Sequence, residues 1–566
     1  MRKAGKWLIR IAVTAILFLL LSGSASAEGK RLLTAACPSV CGAQVTARWQ
    51  KDQAVLSIPG SWDLSKVTLE MEDTKSLQLG QEKTRAVPGK PVDMTGMVGK
   101  KTAIRDEKGR LKGYLTILQG SQINALFLEV DAEQLVKANA DKTIQITEGH
   151  AVCVEADGTV SYDGELEQLK SRGNASHWEH KKPYQFKLKK KTSLGGMSKG
   201  KTWILLANWA DDSLLRNQIV LDLSRQIGMR NAVKCVQTDL WINGEYNGLY
   251  LMTEKIQIKK ERINITNLEE ATEKVNPSPF DAGQIAKDQS GNYPIMRNYP
   301  DVKDPEDITG GYIVTIEKEH RLRLFEEQPG FRTAEELNIR IKEPTCPSKR
   351  QAEYLFNLIT EMQDALIASD GINPKTGKPY EEYLDVNSFA QRYLIDEWTE
   401  NYDFQGGSQY MYKDSDLVDP LIYAGPSWDY DTCLGDRKDK GYRTSDLYLT
   451  NKRYRKNWNI FWLLYGHDSF RNEINRMWPE VFRPAIDLLL GTAEAGPDSV
   501  LRPLDEYVEA IRDSAAMNYV KWHMISDGAF KAAGTSLDSS IRNLRAWMTK
   551  RAAWMDKTYY SEGQTD

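Results

Sequence analysis

The stretch from Asn401 to Asp436 carries acidic residues in an order that restricts what this chain can fold into. Asp403 follows a helix-like segment, and Asp429 and Asp431 come after a short strand and a turn. Residues at positions i and i+2 of a strand point to the same face of its sheet. The spacing therefore predicts a strand that presents Asp429 and Asp431 together.

These carboxylates suit chemistry that needs a divalent cation and a base. Two hard oxygen donors on one face are typical ligands of a cation such as Mg²⁺. A separate carboxylate ahead of them, Asp403, suits a base or a group that positions a nucleophile. A lone Asp, a short strand, a turn and a metal-binding Asp follow one another in this order in kinase-like active sites.

The composition is that of an ordinary globular protein with more than one domain. A chain of 566 residues is too long for a single core, so two or three domains are expected. Hydrophobic residues make up 41% and charged residues 27% of the chain, and the net charge is -3. These values give no reason to expect nucleic acid or an acidic membrane as a partner.

The N-terminus has the three parts of a secretory signal peptide. A basic start is followed by an almost wholly apolar run over residues 11–21 and by a small-residue site that ends at Ala27. We predict removal of residues 1–27, no stable membrane insertion afterwards, and a secreted or extracytoplasmic protein at the cell surface or spore coat. An uncleaved anchor is the alternative, although the apolar run is short for a spanning helix.

Six cysteines are too few for a disulfide scaffold in a chain of this length, although outside the cytoplasm some are expected to pair. Cys37 and Cys41 have the spacing of half a metal site. No matching pair of Cys or His residues follows them, so the sequence does not favour zinc.

Two β-rich regions precede the helical part of the chain. Residues 30–140 contain short strands separated by Gly, Pro and Asp turns, which predicts a small β-sandwich used for docking or as a spacer. In residues 144–265, alternation of apolar side chains around Lys187 predicts a strand with Lys187 on its polar face. Lys187 either faces a nucleotide or belongs to a solvated basic edge, because Lys189 to Lys191 follow.

The remaining elements are read from caps and turn residues. A helix is predicted from a cap at Asp212, and Asn243-Gly244 predicts a hairpin. Residues 266–309 are rich in Pro, Asn, Asp and Gly and are interpreted as an irregular insertion. Residues 310–560 begin with a strand and are otherwise mostly helical.

Two helices are predicted in this last region. The pattern is helical from Ser348 to Ala368, and a second helix from Asp385 to Trp398 starts at an Asp cap and leads directly to Asp403.

Several motifs match one family in the same order over roughly residues 165–480. They are Arg172-Gly173-Asn174-x-Ser176 with Trp178, Lys182-Pro183-Tyr184-x-x-Lys187, Leu205-Leu206-Ala207-Asn208-Trp209-x-Asp211, Leu215-Arg216-Asn217, Asn243-Gly244-Glu245-Tyr246-x-Gly248, Thr253-Glu254, Asn401-x-Asp403 and Trp428-Asp429-x-Asp431. With these motifs the chain resembles the CotH family of spore-coat-type kinases, which have an atypical protein-kinase-like fold.

The resemblance implies an α+β, two-lobed kinase-like fold that follows the β-sandwich-like module. It implies that Lys187 holds the phosphates of ATP and takes part in catalysis. Arg172 and Asn174 are implied to help hold the phosphates, since no Gly-rich kinase loop is present. Glu254 is implied to lie at the adenine-binding hinge. The helix from Asp212 would be the regulatory helix, with Asp222 or a neighbour paired to Lys187.

The same resemblance assigns roles to the three aspartates. Asp403 is implied to be the catalytic residue that orients or deprotonates the substrate hydroxyl. Asp429 is implied to be the principal Mg²⁺ or Mn²⁺ ligand, with Asp431 helping. Family members often carry an Asn a few residues after the catalytic Asp, and here Ser408 or Gln409 is the available oxygen donor.

The sequence thus favours an exported ATP-dependent protein kinase that phosphorylates hydroxyl side chains of coat or surface proteins. The alternative is a non-catalytic, kinase-like scaffold that assembles a spore coat or cell surface. A carbohydrate-binding protein is less favoured, because the aromatic residues are mostly at core spacing.

Overall fold

A computed structural model describes residues 29–37, 43–71, 74–276, 295–296, 299–318, 329–436, 443–522 and 536–559. Helices account for 32% and strands for 28% of the residues, which confirms the predicted α+β class. The predicted signal peptide, residues 1–27, and Cys41 lie outside the described residues. None of the described helices combines the length and apolar character needed to cross a bilayer.

The described strands are β1 (Arg31–Ala36), β2 (Gln44–Arg48), β3 (Gln53–Ile58), β4 (Val67–Glu70), β5 (Leu77–Leu79), β6 (Thr84–Ala86), β7 (Pro91–Val92), β8 (Lys101–Arg105), β9 (Leu111–Gln119), β10 (Asn124–Glu129), β11 (His150–Val154), β12 (Val160–Ser171), β13 (Tyr184–Thr192), β14 (Gly200–Leu206), β15 (Cys235–Ile242), β16 (Glu245–Glu254), β17 (Ile295–Met296), β18 (Tyr312–Ile316), β19 (Gly330–Arg332), β20 (Asn338–Glu343), β21 (Gln409–Lys413) and β22 (Ile422–Ala424).

The described α-helices are α1 (Ala132–Ala140), α2 (Arg216–Gln226), α3 (Leu268–Val275), α4 (Lys349–Ile367), α5 (Val386–Thr399), α6 (Ile460–Tyr465), α7 (Asp468–Met477), α8 (Arg483–Leu490), α9 (Leu504–Trp522) and α10 (Leu537–Tyr559). The chain divides into two compact units. The first unit takes the described residues up to 209, 235–254 and 505–522, and the second takes 210–234, 255–504 and 536–559.

The first unit contains two sheets and a barrel. The sheets have the strand orders β2-β1-β4-β7 and β3-β9-β8-β5-β6. Their apolar side chains share one core. Strand β3, for example, buries alternate residues along its whole length. Strands β10 to β16 close into a barrel in the order β10-β11-β12-β13-β14-β16-β15.

Strand β10 belongs to the barrel, whereas the sequence analysis places it in the β-rich module of residues 30–140. It pairs antiparallel with β11 and parallel with β15. Phe127 packs into the core of the two sheets, and Leu126 and Leu128 pack into the barrel core. Because side chains of a strand alternate between faces, β10 contributes to both cores. The composition of the sequence therefore gives no sign of a domain boundary at this strand.

Helix α9 also belongs to the first unit, although it lies within residues 310–560. Ser514 on α9 donates a hydrogen bond of 2.6 Å to Asp239, which also accepts one of 2.7 Å from the hydroxyl of Tyr246. Burial raises the pKa of Asp239 to about 7. Burying the carboxyl of Asp239 without hydrogen-bond partners would cost free energy, and these two hydroxyls supply the partners. The contact from Ser514 therefore holds α9 on the hairpin of β15 and β16.

That hairpin confirms the turn predicted at Asn243-Gly244. Strands β15 and β16 pair antiparallel with Ile242 opposite Glu245. Asn243 and Gly244 have φ angles of 51° and 77°, the left-handed values that a two-residue hairpin turn requires.

In the second unit a six-stranded sheet has the order β17-β19-β20-β18-β21-β22. Helices α4 and α5 begin where they were predicted, and the structure shows the predicted cap at Asp385 and a further cap at Ser348, whose side chains accept hydrogen bonds from backbone amides of the first turn. Helix α3 occupies part of the region 266–309 that the sequence analysis interprets as irregular.

Helix α2 begins at Arg216 instead of directly after Asp212. The carboxylate of Asp211 accepts hydrogen bonds of 2.8 Å from the amides of Ser213 and Arg216, and Leu214 has a φ of 63°. Residues 211–214 therefore form a turn stabilised by a side chain, which competes with helix formation.

Candidate functional site

Lys187, the predicted phosphate-binding lysine, lies on β13 in the first unit. Its Nζ is 2.5 Å from Oε1 of Glu167 on the neighbouring strand β12. Lys201 on β14 reaches the same carboxylate, 3.5 Å from Oε2. The hydrogen bond from Lys187 lowers the pKa of Glu167. Because the Lys187 side chain is 37% exposed, this ion pair lies at an accessible face of the barrel.

The resemblance suggested Asp222 as a partner for Lys187. Asp222 lies on α2 in the second unit, where its Oδ1 is 3.4 Å from Nη1 of Arg225. Within the first unit, the carboxylate that Lys187 contacts is Glu167, which no motif of the sequence analysis marks.

Arg172 and Asn174 lie in the loop between β12 and β13. The amide of Arg172 donates to the carbonyl of Pro183 at 3.0 Å, which closes the base of the loop. Lys142 donates to the carbonyl of Gly173 at 3.0 Å and to Oδ1 of Asn174 at 3.4 Å. Lys142 thus brings a second cation to this loop, beside the two residues predicted from the motif.

Glu254, the predicted hinge residue, is the last residue of β16 and is buried. Its Oε1 accepts a hydrogen bond of 3.0 Å from the amide of Ser198. This contact ties the end of β16 to the loop that precedes β14.

Asp403 lies in the second unit, just beyond the end of α5, as predicted. It sits in a short 3-10 turn, Tyr402–Gln405. The buried side chain of Asn401 accepts a hydrogen bond of 3.0 Å from the amide of Asp403, so the Asn-x-Asp spacing fixes the position of the aspartate. Asp403 is half-buried, and Nζ of Lys318 is 3.7 Å from its Oδ1. Sequence reasoning gave no signal for Lys318.

The prediction that Asp429 and Asp431 lie on a strand is wrong. Strand β22 ends at Ala424, and the residues that follow have no regular structure. Asp429 has a φ of 70°, which no strand residue adopts. The i, i+2 rule for strands therefore does not explain how these two carboxylates come together.

The predicted aspartates nevertheless interact through their charges. Burial raises the pKa of Asp431 well above its usual range, and the negative charges of Asp429, Asp403, Asp211 and Asp436 raise it further. Charges in a partly buried region are screened less than charges in water, so these carboxylates influence one another. Asp403, Asp429 and Asp431 therefore lie in one acidic region of the second unit.

The residues that replace the expected Asn have different roles. The hydroxyl of Ser408 donates a hydrogen bond of 3.0 Å to Oδ2 of Asp429. The amide of Gln409 instead donates 2.7 Å to Oδ2 of Asp396, a fully buried carboxylate. Of the two candidates that the sequence left open, Ser408 is the one that contacts a predicted metal ligand.

Asp396 on α5 connects the two segments that carry the acidic site. Its Oδ1 accepts hydrogen bonds of 3.2 Å from Asn401 and 2.7 Å from the hydroxyl of Tyr430. Its Oδ2 accepts one of 2.8 Å from Arg392, so its charge is balanced. The turn that carries Asp403 and the loop that carries Asp429 and Asp431 therefore both form hydrogen bonds with the buried side chain of Asp396.

A second acidic group surrounds Arg216. Carboxylate oxygens of Asp211, Asp212 and Asp436 lie within 4.8 Å of one another. Nη1 of Arg216 contacts Asp211 and lies 2.9 Å from Asp212 and 3.2 Å from Asp436. Burial raises the pKa of Asp436 to about 8. The guanidinium contacts all three carboxylates and so offsets part of their charge.

The chemistry of Asp403, Asp429 and Asp431 suits a divalent cation, although their oxygens do not all lie within 4.8 Å of one another as those of Asp211, Asp212 and Asp436 do. All three offer hard carboxylate oxygens, the ligands that Mg²⁺ and Mn²⁺ prefer. Their mutual repulsion, seen in the raised pKa of Asp431, is relieved when a cation binds between them. All three are half-buried, so the site is both shielded and open to a ligand.

Comparison with family models gives a match over most of the chain. A family model described as CotH kinase protein matches residues 169–555, roughly two-thirds of the chain. The matched region includes every site residue predicted from the sequence, whereas Glu167 and Lys142 lie before it. A search of curated proteins found no match to the chain.

Proposed function

Because the chain belongs to the CotH kinase protein family, we propose that it is an exported ATP-dependent protein kinase that phosphorylates hydroxyl side chains of coat or surface proteins. The observation that carries this proposal is that Asp396 accepts hydrogen bonds from both Asn401 and Tyr430, which ties the turn of Asp403 to the loop of Asp429 and Asp431. Phosphoryl transfer needs a positioned hydroxyl and a cation that neutralises phosphate charge, and these residues match both needs.

In this proposal Asp429 and Asp431 hold Mg²⁺ or Mn²⁺, and Ser408 keeps Asp429 oriented through its hydrogen bond. The cation, when bound, neutralises charge on the phosphates of ATP. Asp403 accepts the proton of the substrate hydroxyl or orients that hydroxyl for attack. Lys318, 3.7 Å from Asp403, limits the orientations that its carboxylate adopts.

Residues of the first unit are proposed to bind the nucleotide. Lys187 is the candidate for the phosphates, with Glu167 holding its ammonium group in place. Arg172 and Asn174 are further candidates for phosphate contacts, and Glu254 is the candidate for the hinge. These assignments correspond to a two-lobed kinase-like fold, which is also part of the proposal.

The location follows from the predicted signal peptide and the family. Residues 1–27 have the pattern of an exported chain. Protein substrates of a spore coat or cell surface fit this location, and nucleic acid does not, given the net charge of -3.

The second candidate function is a non-catalytic scaffold of the spore coat or cell surface. The contact that favours it is that of Gln409, whose amide NH2 donates a hydrogen bond to the buried Asp396 and so directs this side chain to that carboxylate. A scaffold would bind coat or surface proteins without transferring phosphate.

Phosphate transfer from labelled ATP tests the proposal. The purified protein is incubated with Mg²⁺ and candidate coat proteins, beside Asp403→Asn and a control, Asp468→Asn, at a side chain that is 87% exposed. We expect transfer by the wild type and the control, and a rate at least about 100-fold lower for Asp403→Asn. Wild-type transfer no greater than that of Asp403→Asn would reject the kinase and favour the scaffold.

A further inference from the structure

The start of α2 contacts the backbone of the loop that carries Asp429 and Asp431. Oδ1 of Asn217 accepts a hydrogen bond of 2.7 Å from the amide of Tyr430, the residue between the two aspartates. Nε of Arg216 donates one of 3.0 Å to the carbonyl of Cys433. Both side chains are almost fully buried, so water does not compete for these contacts.

Arg216 is itself held from several directions. Its Nη1 contacts Asp211, Asp212 and Asp436, and its side chain is completely buried. Burial alone would lower the pKa of Arg216. The charges of these carboxylates outweigh that effect, so the pKa lies above its usual value. A guanidinium bound in this way has little freedom, so it presents Nε to the loop in a fixed direction.

The loop has a backbone that needs such support. Asp429 has a φ of 70° and Leu434 a φ of 52°, both in the left-handed region that residues other than glycine rarely occupy. Residues in such conformations persist only where their surroundings determine them. Asn217 and Arg216 contact backbone groups between these two positions, at Tyr430 and Cys433.

We propose that Asn217 and Arg216 are positioning residues that hold Asp429 and Asp431 in the geometry that binds the divalent cation. Neither residue touches the cation or the substrate, and both act through the loop backbone. This inference rests on the proposed function, since it assigns a purpose to the loop only if Asp429 and Asp431 bind a metal. If α2 only packed against the loop, metal affinity would not depend on a particular hydrogen bond. The proposed role makes metal affinity depend on the hydrogen bond from the Tyr430 amide to Asn217.

Paired substitutions at Asn217 separate the hydrogen bond from packing. Asn217→Asp keeps an acceptor for the Tyr430 amide, whereas Asn217→Leu has a similar size and no acceptor. The matched control is Asn459→Ala, which removes a buried capping side chain of α6 in the same unit, remote in sequence from the loop. Arg216 is left unchanged, because its removal would leave three buried carboxylates without a cation.

The first measurement is local and needs neither metal nor activity. Hydrogen exchange at the Tyr430 amide, followed by mass spectrometry of peptides from the loop, reports whether Asn217 holds it. We expect faster exchange in Asn217→Leu, with Asn217→Asp and Asn459→Ala close to the wild type. Equal exchange in Asn217→Leu and the wild type overturns the inference whatever the fate of the proposed function.

The second measurement is Mn²⁺ affinity in the presence of a non-hydrolysable ATP analogue, read by electron paramagnetic resonance. Loss of a group that orients a metal ligand weakens binding on the order of tenfold or more, and we expect this for Asn217→Leu and not for Asn217→Asp or Asn459→Ala. Unchanged affinity in Asn217→Leu overturns the inference alone. Absence of Mn²⁺ binding in the wild type overturns the proposed function, and the positioning role with it.

Discussion

The hydroxyl of Ser408 donates a hydrogen bond of 3.0 Å to Oδ2 of Asp429 across a gap of 21 residues in the chain. Ser408 immediately precedes β21, and Asp429 follows β22, so the two strands of this hairpin bring the residues together. Where related kinases often use Asn, this chain therefore places a hydroxyl against a predicted metal ligand.

Removal of this hydroxyl should weaken metal binding. We expect Ser408→Ala to lower Mn²⁺ affinity several-fold to about tenfold, because the carboxylate of Asp429 loses the partner that orients it. Ser408→Asn restores a polar partner and should bind at least as tightly as the wild type. The control is Ser415→Ala, since Ser415 also donates to an aspartate, Asp307, in the same unit. Calorimetric titration that shows equal affinities for Ser408→Ala and the control would contradict this role.

Asp396 should be essential for stability of the second unit. Its removal leaves the buried guanidinium of Arg392 without its ion pair and also frees Tyr430. Breaking a buried pair on one side costs about 3–5 kcal/mol. We expect this loss for Asp396→Ala in urea denaturation, against less than about 1 kcal/mol for Asp468→Ala, whose side chain is 87% exposed. Similar losses for the two variants would show that the network around Asp396 does not support the site.

Lys187 should matter for nucleotide binding and little for stability. Its ion pair with Glu167 is partly exposed, and such pairs contribute little to folding. Lys201→Ala is the matched control, because Lys201 contacts the same carboxylate from the next strand. We expect an ATP analogue with Mg²⁺ to raise the unfolding temperature of the wild type and of Lys201→Ala, but not of Lys187→Ala. A full shift in Lys187→Ala would remove this residue from the nucleotide site.

Glu400 should make stability depend on pH. It is buried, and burial raises its pKa from 4.5 to about 8. The folded protein therefore keeps a proton that the unfolded chain releases, so this contribution to stability is complete below pH 4.5 and is lost as pH rises to about 8. The full change is on the order of 5 kcal/mol.

Glu400→Gln removes that titration. The variant should be less stable than or equal to the wild type near pH 5 and should gain on it steadily up to pH 8.5. Urea denaturation at a series of pH values gives the difference directly. A constant difference between the variant and the wild type across this range would show that Glu400 does not titrate as described.

The parts of the site that the sequence predicted are those set by short spacing. Asn401-x-Asp403 follows a helix with a clear cap, and the structure shows why the motif has this form, since Asn401 holds the amide of Asp403. Helices that start at Ser348 and Asp385 and the hairpin at Asn243-Gly244 were predicted for the same reason, because their signals are local.

The parts that the sequence did not predict depend on contacts between distant residues. Arg216 and Asp436 are separated by 220 positions, and no spacing rule relates them. Asp429 and Asp431 were placed on a strand by the i, i+2 rule, whereas a left-handed residue and the contacts of Asn217 set their loop. Helix α2 starts late because Asp211 competes for the backbone amides of its first turn.

The central claim is that Asp403, Asp429 and Asp431 form one cation-dependent phosphoryl-transfer site. Titration of Mn²⁺ into the wild type and into Asp429→Asn, with an ATP analogue present, tests it most directly. We expect the wild type to bind Mn²⁺ at a saturable site. We expect the Mn²⁺ affinity of Asp429→Asn to be lower by on the order of tenfold or more. Equal binding by the two proteins, or none by either, would contradict it.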